Sequence, residues 1–250
     1  MRSTPGRGTI GTGISICRFH LSLVALGPNV LKPDLTVLPA EQRKFWDEAT
    51  GDLPPGFVLY GGTAIALRCG HRQSVDFDWF SSRQGLLSSV DRFLGRFGRR
   101  QVLQQDSRML VVLVQIGRKP LKLSFFEGLK FGRVGVPDRC ANGVVVASRL
   151  DLLATKLKTA QQRAEAKDYI DIDALLRTGL TLRRGIAAAQ ALYPDLNPLW
   201  TAKTVGWFGE GNLEAALSPA VKARLLAASA DWQPSSRGVK RRSRSLLPSA

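Results

Sequence analysis

Apolar and polar residues follow patterns that predict helices and strands from about residue 38 onward. The expected elements, in order, are a helix from Pro39, a strand over residues 57–60, a short helix over 63–69, a strand over 75–80, an amphipathic helix over 86–97, and strands over 101–105, 109–116, 121–126 and 144–146. From residue 148 to about residue 232 the apolar residues recur at helical spacing. This order predicts an α+β fold, in which a mixed β-sheet with flanking helices is followed by a helical C-terminal part.

The local composition divides the chain into four parts. Residues 1–36 begin with a Gly-, Ser- and Thr-rich stretch and show no sustained period, so we expect a flexible arm. Residues 37–147 form the predicted α+β domain, and residues 148–233 form the helical part. Residues 234–250 are a basic, low-complexity tail, which we expect to be disordered.

Positive charge is concentrated at the two ends of the chain. The net charge is +16, and nine of the basic residues lie in residues 1–32 and 235–250, which contain no acidic residue. The ends therefore favour contact with an anionic partner such as a nucleotide or RNA. A hydrophobic content of 44% is enough to bury a core and argues against a wholly disordered chain.

The sequence disfavours membrane proteins and disulfide-rich proteins. No apolar run approaches the ~20 residues that a membrane-spanning helix needs. Arg18 and His20 interrupt the apolar stretch over residues 14–26, which is the best candidate for a targeting signal. The three cysteines are widely spaced, so they predict neither a disulfide framework nor a structural zinc site. We expect a cytoplasmic protein in which carboxylates would have to hold any metal.

Gly61, Gly62 and Thr63 lie between a predicted strand and a predicted helix. Two glycines let a ligand approach the backbone closely, and the N-terminus of the following helix presents free N–H groups to an anion. The threonine hydroxyl can add a donor. This arrangement suits a phosphate, although a tight strand-to-helix turn accounts for the same three residues.

Asp76 and Asp78 flank Phe77 on a predicted strand. Side chains two residues apart on a strand share a face, so both carboxylates point one way while Phe77 points into the core. Close carboxylates repel unless a cation lies between them, and Mg²⁺ takes one or two such oxygens plus substrate phosphates. The alternative is an exposed strand end with two solvated aspartates.

A further group of charged residues lies in the helical part, namely Lys156, Arg163, Lys167, Asp168 and Asp171. If a single helix ran over residues 150–175, all of them except Asp168 would fall within a sector of about 80°. That stripe would offer cations to a triphosphate and would end in a carboxylate. An ordinary solvated helix face with one i,i+4 Lys–Asp pair fits the spacing as well.

His71 and Arg72 come just before the aspartate strand. In that position they could touch a phosphate or stabilise developing charge. A histidine in a loop is often a surface or packing residue, so the residue types alone leave both roles open.

The order of these motifs resembles the DNA polymerase β-like nucleotidyltransferase superfamily. The stretch GGTAIAL…GHRQSVDFDWF, together with a helical Lys, an Arg and a Lys-Asp-x-x-Asp box, is similar to the AbiEii/AbiGii-type nucleotidyltransferase toxins of bacterial toxin–antitoxin and phage-defence systems. The resemblance implies that Gly61, Gly62 and Thr63 grip a triphosphate and that Asp76 and Asp78 bind Mg²⁺.

The resemblance also assigns roles to the remaining candidates. Lys156, Arg163 and Lys167 would neutralise the triphosphate. His71 and Arg72 are candidates for nucleotide binding because of their position in the loop before the aspartate strand. Catalytic roles would fall on the two metal-binding aspartates and on three residues of the helical part, Lys156, Asp168 and Asp171.

One position departs from the superfamily's pattern. A third carboxylate is expected on a later strand, where it helps to bind the catalytic metal and takes the proton of the attacking hydroxyl, but Ser124 occupies that position. Glu127 could enter the site, although its parity places it on the other face. Asp168 or Asp171 could supply the carboxylate, or the protein could bind nucleotide and metal without efficient transfer. We rank the two aspartates first, because the Lys-Asp-x-x-Asp box is intact.

The resulting prediction is a Mg²⁺-dependent nucleotidyltransferase that moves a nucleoside monophosphate from an NTP to a hydroxyl of an RNA, such as a tRNA, or of a protein. The resemblance implies a toxin that is neutralised by an antitoxin partner. One alternative is a catalytically weak or inactive nucleotide- or RNA-binding module of the same fold. Another is a protein that binds nucleic acid only through its basic ends.

Overall fold

A computed structural model describes residues 30–234 and 238–248, so most of the predicted N-terminal arm lies outside the described residues. The elements before residue 148 are α1 (Ala40–Glu48), β1 (Val58–Tyr60), α2 (Gly61–Cys69), β2 (Asp76–Phe80), α3 (Leu87–Leu94), β3 (Arg100–Gln105), β4 (Met109–Gln115), β5 (Pro120–Phe126), β6 (Asp138–Arg139) and β7 (Val145–Val146). Two short 3-10 helices cover Leu35–Val37 and Thr50–Asp52. The predicted order is confirmed, and the unpredicted β6 is two residues long, too short to carry a pattern.

The strands form one seven-stranded mixed sheet in the order β3-β4-β5-β2-β1-β7-β6. Strand β2 lies near the centre, antiparallel to β1 and parallel to β5. Phe77 and Trp79 point from β2 into the core and are fully buried, and Phe77 packs on Phe45 and Trp46 of α1. This packing places an aromatic side of α1 on the sheet and leaves the other face of β2 for polar side chains.

The helical part contains α4 (Arg149–Ala160), α5 (Ala166–Leu176), α6 (Leu182–Leu192), α7 (Pro198–Val205), α8 (Leu213–Ala216) and α9 (Pro219–Ala230). A single helix over residues 150–175 is therefore wrong, because the chain turns between α4 and α5. The turn lets Arg163 reach the buried Asp168, with Arg163 Nε 2.8 Å from Asp168 Oδ2. This tertiary contact outweighs the weak local preference for continuing the helix.

The expectation of a disordered tail is wrong for residues 238–248. Ser243 forms an antiparallel bridge with Arg133, and Leu246 is 1% exposed. Gly132 makes this contact feasible, because its φ is +74° and a Cβ there would collide with the Ser243 carbonyl oxygen. The basic composition of the tail predicted disorder, but one buried leucine and backbone pairing compensate for it.

No helix in the described part of the chain is long and apolar enough to cross a membrane.

Candidate active site

Asp76 and Asp78 project from the same face of β2, opposite the buried Phe77 and Trp79. Both aspartates are partly exposed. In the parallel pairing with β5, Asp76 lies opposite Lys122 and Asp78 lies opposite Ser124. The shared face predicted from the D-x-D spacing is therefore present, and it lies at the centre of the sheet.

The glycine turn lies directly against Asp78. Tyr60 pairs with Asp78 across the two antiparallel strands, so Gly61 starts α2 beside that carboxylate. Gly61 has a φ of +69°, and a Cβ there would collide with Asp78 Oδ2. A Cβ on Gly62 would collide with Arg72 Nη2. Glycine is required at Gly61 by its positive φ, whereas a side chain at Gly62 would displace the end of the Arg72 side chain. The unpaired N–H groups of the first turn of α2 lie beside the acids.

Thr63 occupies a different position from the one expected for a phosphate ligand. Its side chain is buried, and its hydroxyl is hydrogen-bonded to the Ser74 hydroxyl at 2.7 Å and to the main-chain carbonyl of Asp76. Thr63 therefore ties α2 to the start of β2 and fixes the distance between the glycine turn and the aspartates.

Lys156 connects the two aspartates of the helical part. Lys156 Nζ lies 2.6 Å from Asp168 Oδ1 and 2.9 Å from Asp171 Oδ2, and both carboxylates are fully buried. Arg163 completes the contacts of Asp168. These ion pairs hold the lysine ammonium in one place at the edge of the cleft, where its charge acts on Asp78.

Asp171 is also the partner of His71 and Arg72. His71 Nε2 lies 2.8 Å from Asp171 Oδ1, and Arg72 donates to both oxygens at 2.7 and 2.9 Å. Burial by itself would raise the pKa of the Asp171 carboxyl, but hydrogen bonds from His71 and Arg72 and the charge of Lys156 hold that pKa well below its ordinary value. His71 and Arg72 thus join the loop before β2 to α5.

These contacts bear on the missing third carboxylate. The oxygens of Asp168 and Asp171 contact cations of the protein itself. Both residues therefore have the contacts of anchors for Lys156, Arg163 and Arg72. These are not the contacts of the metal ligands that we ranked first. Sequence spacing could not show this, because the partners His71 and Arg72 lie about a hundred residues away.

Glu127 is likewise turned away from the aspartates. Its carboxylate accepts N–H groups of Gly85, Leu86 and Leu87 at 3.0, 2.6 and 3.1 Å, which caps the start of α3. The side chain is 5% exposed. Glu127 lies three residues after Ser124, so strand alternation predicts that the two side chains lie on opposite faces, in agreement with this position.

We expect Glu127→Gln to reduce the free energy of unfolding by about 1–3 kcal/mol, because a buried charge-assisted cap is weakened. The substitution should leave enzymatic activity at saturating substrate unchanged. Urea unfolding of this variant beside Glu48→Gln, at an exposed position on α1, measures the effect. Loss of activity without loss of stability would place Glu127 in the active site after all.

Ser124 takes the third-carboxylate position and interacts with Asp78. The serine is 3% exposed and lies opposite Asp78 on the neighbouring strand. Burial raises the pKa of Asp78, the Ser124 hydrogen bond lowers it, and the neighbouring Asp76 raises it. In the described residues no three His, Cys, Asp or Glu side chains form a metal-binding group. A metal held here would complete its coordination with oxygens of water or of a bound substrate.

Two cavities meet at the aspartates and share Asp78, Lys156 and Arg163. The first, of about 210 Å³, is polar. Its charged side chains are the two carboxylates Asp76 and Asp78 and the five cations Arg72, Lys122, Lys156, Arg163 and Lys167. The second, of about 390 Å³, is walled in part by Phe80, Leu129, Phe131 and Tyr193. The cleft therefore combines a cationic half with an aromatic half.

Lys167 lies at the rim of the cationic half. Its side chain is half exposed, and its Nζ lies 2.8 Å from Glu165 Oε2. The structure thus brings Lys156, Arg163 and Lys167 to one cavity, as the stripe predicted, although two helices and a turn supply them instead of one helix.

Comparisons with known proteins give one family profile and one related protein. The family profile described as "Nucleotidyl transferase AbiEii toxin, Type IV TA system" matches residues 44–241. An uncharacterized protein of Aquifex aeolicus is 32% identical over 144 residues, which cover 56% of this chain and 68% of that protein.

Solved structures of similar shape include proteins of two bacteria. A Helicobacter pylori protein of known crystal structure matches with a TM-score of 0.50 at 14% identity over 76% of this chain and 92% of that chain. MenT4, a nucleotidyltransferase toxin of Mycobacterium tuberculosis, matches with a TM-score of 0.48 at 16% identity over 78% of this chain and 87% of that chain. The first similarity agrees with the predicted mixed-sheet α+β fold.

Proposed function

Because the chain belongs to the nucleotidyl transferase AbiEii toxin family, we propose that it moves a nucleoside monophosphate from an NTP to a hydroxyl of an RNA or a protein, with Mg²⁺ bound at Asp76 and Asp78. The observation that carries the proposal is the contact between the Asp78 carboxylate and the glycine turn at the start of α2. Metal-binding oxygens and phosphate-binding N–H groups there share one cavity.

The cationic half of the cleft suits the triphosphate. Five cations line this half and can donate to phosphate oxygens. Four of them are also paired with Asp168, Asp171 or Glu165, so the site offers ordered cationic donors without a net excess of positive charge. Gly61 and Gly62 leave room for phosphate oxygens to approach the N–H groups of α2. Arg72 and Lys156 are held by Asp171, so they meet a bound phosphate without having to be ordered first.

The donor set of β2 suits Mg²⁺. Asp76 and Asp78 offer hard carboxylate oxygens on one face, and Mg²⁺ is commonly held by one or two carboxylates together with substrate phosphates. When bound, such an ion neutralises charge on the transferring phosphoryl group. In phosphoryl transfer most of the rate arises from positioning and from charge neutralisation, so a site without a third strand carboxylate retains the same reaction class.

The aromatic half of the cleft is the proposed seat of the nucleoside. Phe131 and Tyr193 lie with their ring centroids 5.5 Å apart at its wall, and such rings offer faces on which a base stacks. An NTP substrate fits the cytoplasmic location predicted from the cysteines. Membership of a family described as the toxin of a type IV toxin–antitoxin system also implies an antitoxin partner.

Incubation of the purified chain with Mg²⁺, each labelled NTP in turn, and either an RNA pool or a protein extract tests the proposal. We expect label on one class of acceptor, dependent on Mg²⁺ and abolished by Asp76→Ala. Nucleotide binding without transfer to any acceptor would favour the rival function, a nucleotide-binding module, which the serine at position 124 supports.

A further inference from the structure

The basic tail is anchored beside the active-site cleft. Arg242 N donates to the Arg133 carbonyl at 2.8 Å, and Arg133 N donates to the Ser243 carbonyl at 2.9 Å. Further along the tail, Arg133 Nε donates to the Leu247 carbonyl at 3.1 Å, and Leu246 is buried. The backbone pairing of residues 242 and 243 with Arg133, together with the buried Leu246, therefore fixes the position of this part of the tail.

This anchored segment carries four cations, Lys240, Arg241, Arg242 and Arg244. All four side chains are exposed, and none of them forms an ion pair with an acidic residue of the described chain. The tail itself contains no carboxylate side chain from residue 234 onward. The segment thus presents a concentrated positive charge that no acidic side chain neutralises.

The charged segment lies next to the wall of the aromatic half of the cleft. A Cβ built on Gly132 would lie 2.9 Å from Arg241 Cδ and 3.2 Å from Arg244 Cα. Phe131, the neighbour of Gly132 in the chain, lines that half of the cleft. The tail segment therefore contacts the chain one residue away from a residue of the cleft wall.

We propose that residues 240–244, docked on Arg133, bind the phosphate backbone of an RNA acceptor and direct one of its hydroxyls to the cleft. This inference rests on the proposed function and narrows its acceptor to RNA. Fixed, unpaired cations gain affinity for nucleic acid by releasing counterions from phosphates. A protein interface needs an apolar centre, and residues 240–245 contain no apolar side chain.

A charge-removal variant tests the inference. In K240A/R241A/R242A/R244A the anchors Ser243 and Leu246 remain, and only the cations are lost. The matched control R177A/R183A/R184A/K203A removes four exposed cations from the α5–α7 region. Binding of an unmodified tRNA transcript is followed by fluorescence anisotropy over a salt series, without NTP.

We expect the tail variant to bind the transcript at least about tenfold more weakly at 0.1 M salt, and the slope of log K against log salt to fall by about 3. NTP affinity should be unchanged, and the KM for RNA should rise more than kcat falls. The control should keep wild-type affinity. Equal losses in both variants, or an unchanged KM for RNA in the tail variant, would overturn the inference.

A second variant tests the docking itself. Leu246→Ser keeps every cation but removes the buried anchor, so we expect weaker RNA binding with a nearly unchanged salt slope. Unchanged affinity would show that the charges act without being docked. If the wild-type chain binds RNA through its tail but transfers no label, the proposed function fails while the RNA surface stands. If label goes only to protein, the inference fails and the transferase stands.

Discussion

Asp78→Asn is expected to reduce nucleotide transfer by at least about a thousandfold, which corresponds to about 4 kcal/mol of transition-state stabilisation. The amide keeps the shape of the side chain against Gly61 but removes the negative charge that a divalent ion needs. The rate is measured as label transferred from the preferred NTP at saturating Mg²⁺.

The same substitution should leave the fold as stable as before, or more stable. Burial raises the pKa of Asp78 and the charge of Asp76 raises it further, so the ionised carboxylate costs free energy in the folded protein at neutral pH. A neutral amide removes that cost. Loss of activity together with a retained or raised urea midpoint would indicate that Asp78 serves the reaction and does not stabilise the fold.

Asp91→Asn is a suitable control for Asp78→Asn. Asp91 lies on α3 with a side chain that is 61% exposed and paired with Arg100. We expect this variant to keep full activity. If Asp78→Asn retained more than a tenth of the wild-type rate, β2 would not be the metal-binding strand of the enzyme.

Sequence reasoning recovered the centre of the fold because local rules govern it. The alternation in Asp76-Phe77-Asp78 fixes which side chains are buried and which share the open face, and both features are present. The glycine turn was recognised for the same reason, since only glycine tolerates a close approach and a positive φ. Such features depend on neighbours a few residues away.

Contacts between distant parts of the chain escaped prediction. No spacing rule links Asp171 to His71 or Glu127 to the start of α3, so the sequence left both carboxylates as candidate metal ligands. The stripe predicted on a single helix identified cations that do line one cavity. Their grouping arises instead from two helices and the turn before α5, which brings Arg163 to Asp168. Disorder was wrongly predicted for residues 238–248 because composition reports charge but not the backbone pairing with Arg133 or the burial of Leu246.

Asp171→Ala is expected to lower the free energy of unfolding by about 3–5 kcal/mol, the cost of leaving buried cations without their partner. The Lys156 and His71 side chains are 9% and 6% exposed, so water compensates poorly for the missing carboxylate. The Lys156 ammonium would keep only Asp168 as its anchor. Chemical denaturation followed by circular dichroism measures the loss.

Asp173→Ala on the same helix is the matched control. Asp173 is also buried and bonds Arg224 Nε at 2.7 Å, but the Arg224 side chain is 45% exposed and can be solvated when its partner is removed. We expect a loss of about 1 kcal/mol or less. Equal losses at positions 171 and 173 would mean that the three partners of Asp171, which are Lys156, Arg72 and His71, add no stability beyond an ordinary ion pair.

The dependence on pH separates the charge of Asp171 from its packing. Its pKa in the folded state is lowered below the ordinary 3.8 by hydrogen bonds and by Lys156, against the opposing effect of burial. Such a group contributes stability above pH 3.8, and the contribution is lost as the pH falls toward the folded-state value. The stability difference between wild type and Asp171→Ala should therefore be constant near neutral pH and shrink below pH 3.8. A difference that stayed constant down to pH 3 would assign the effect to packing alone.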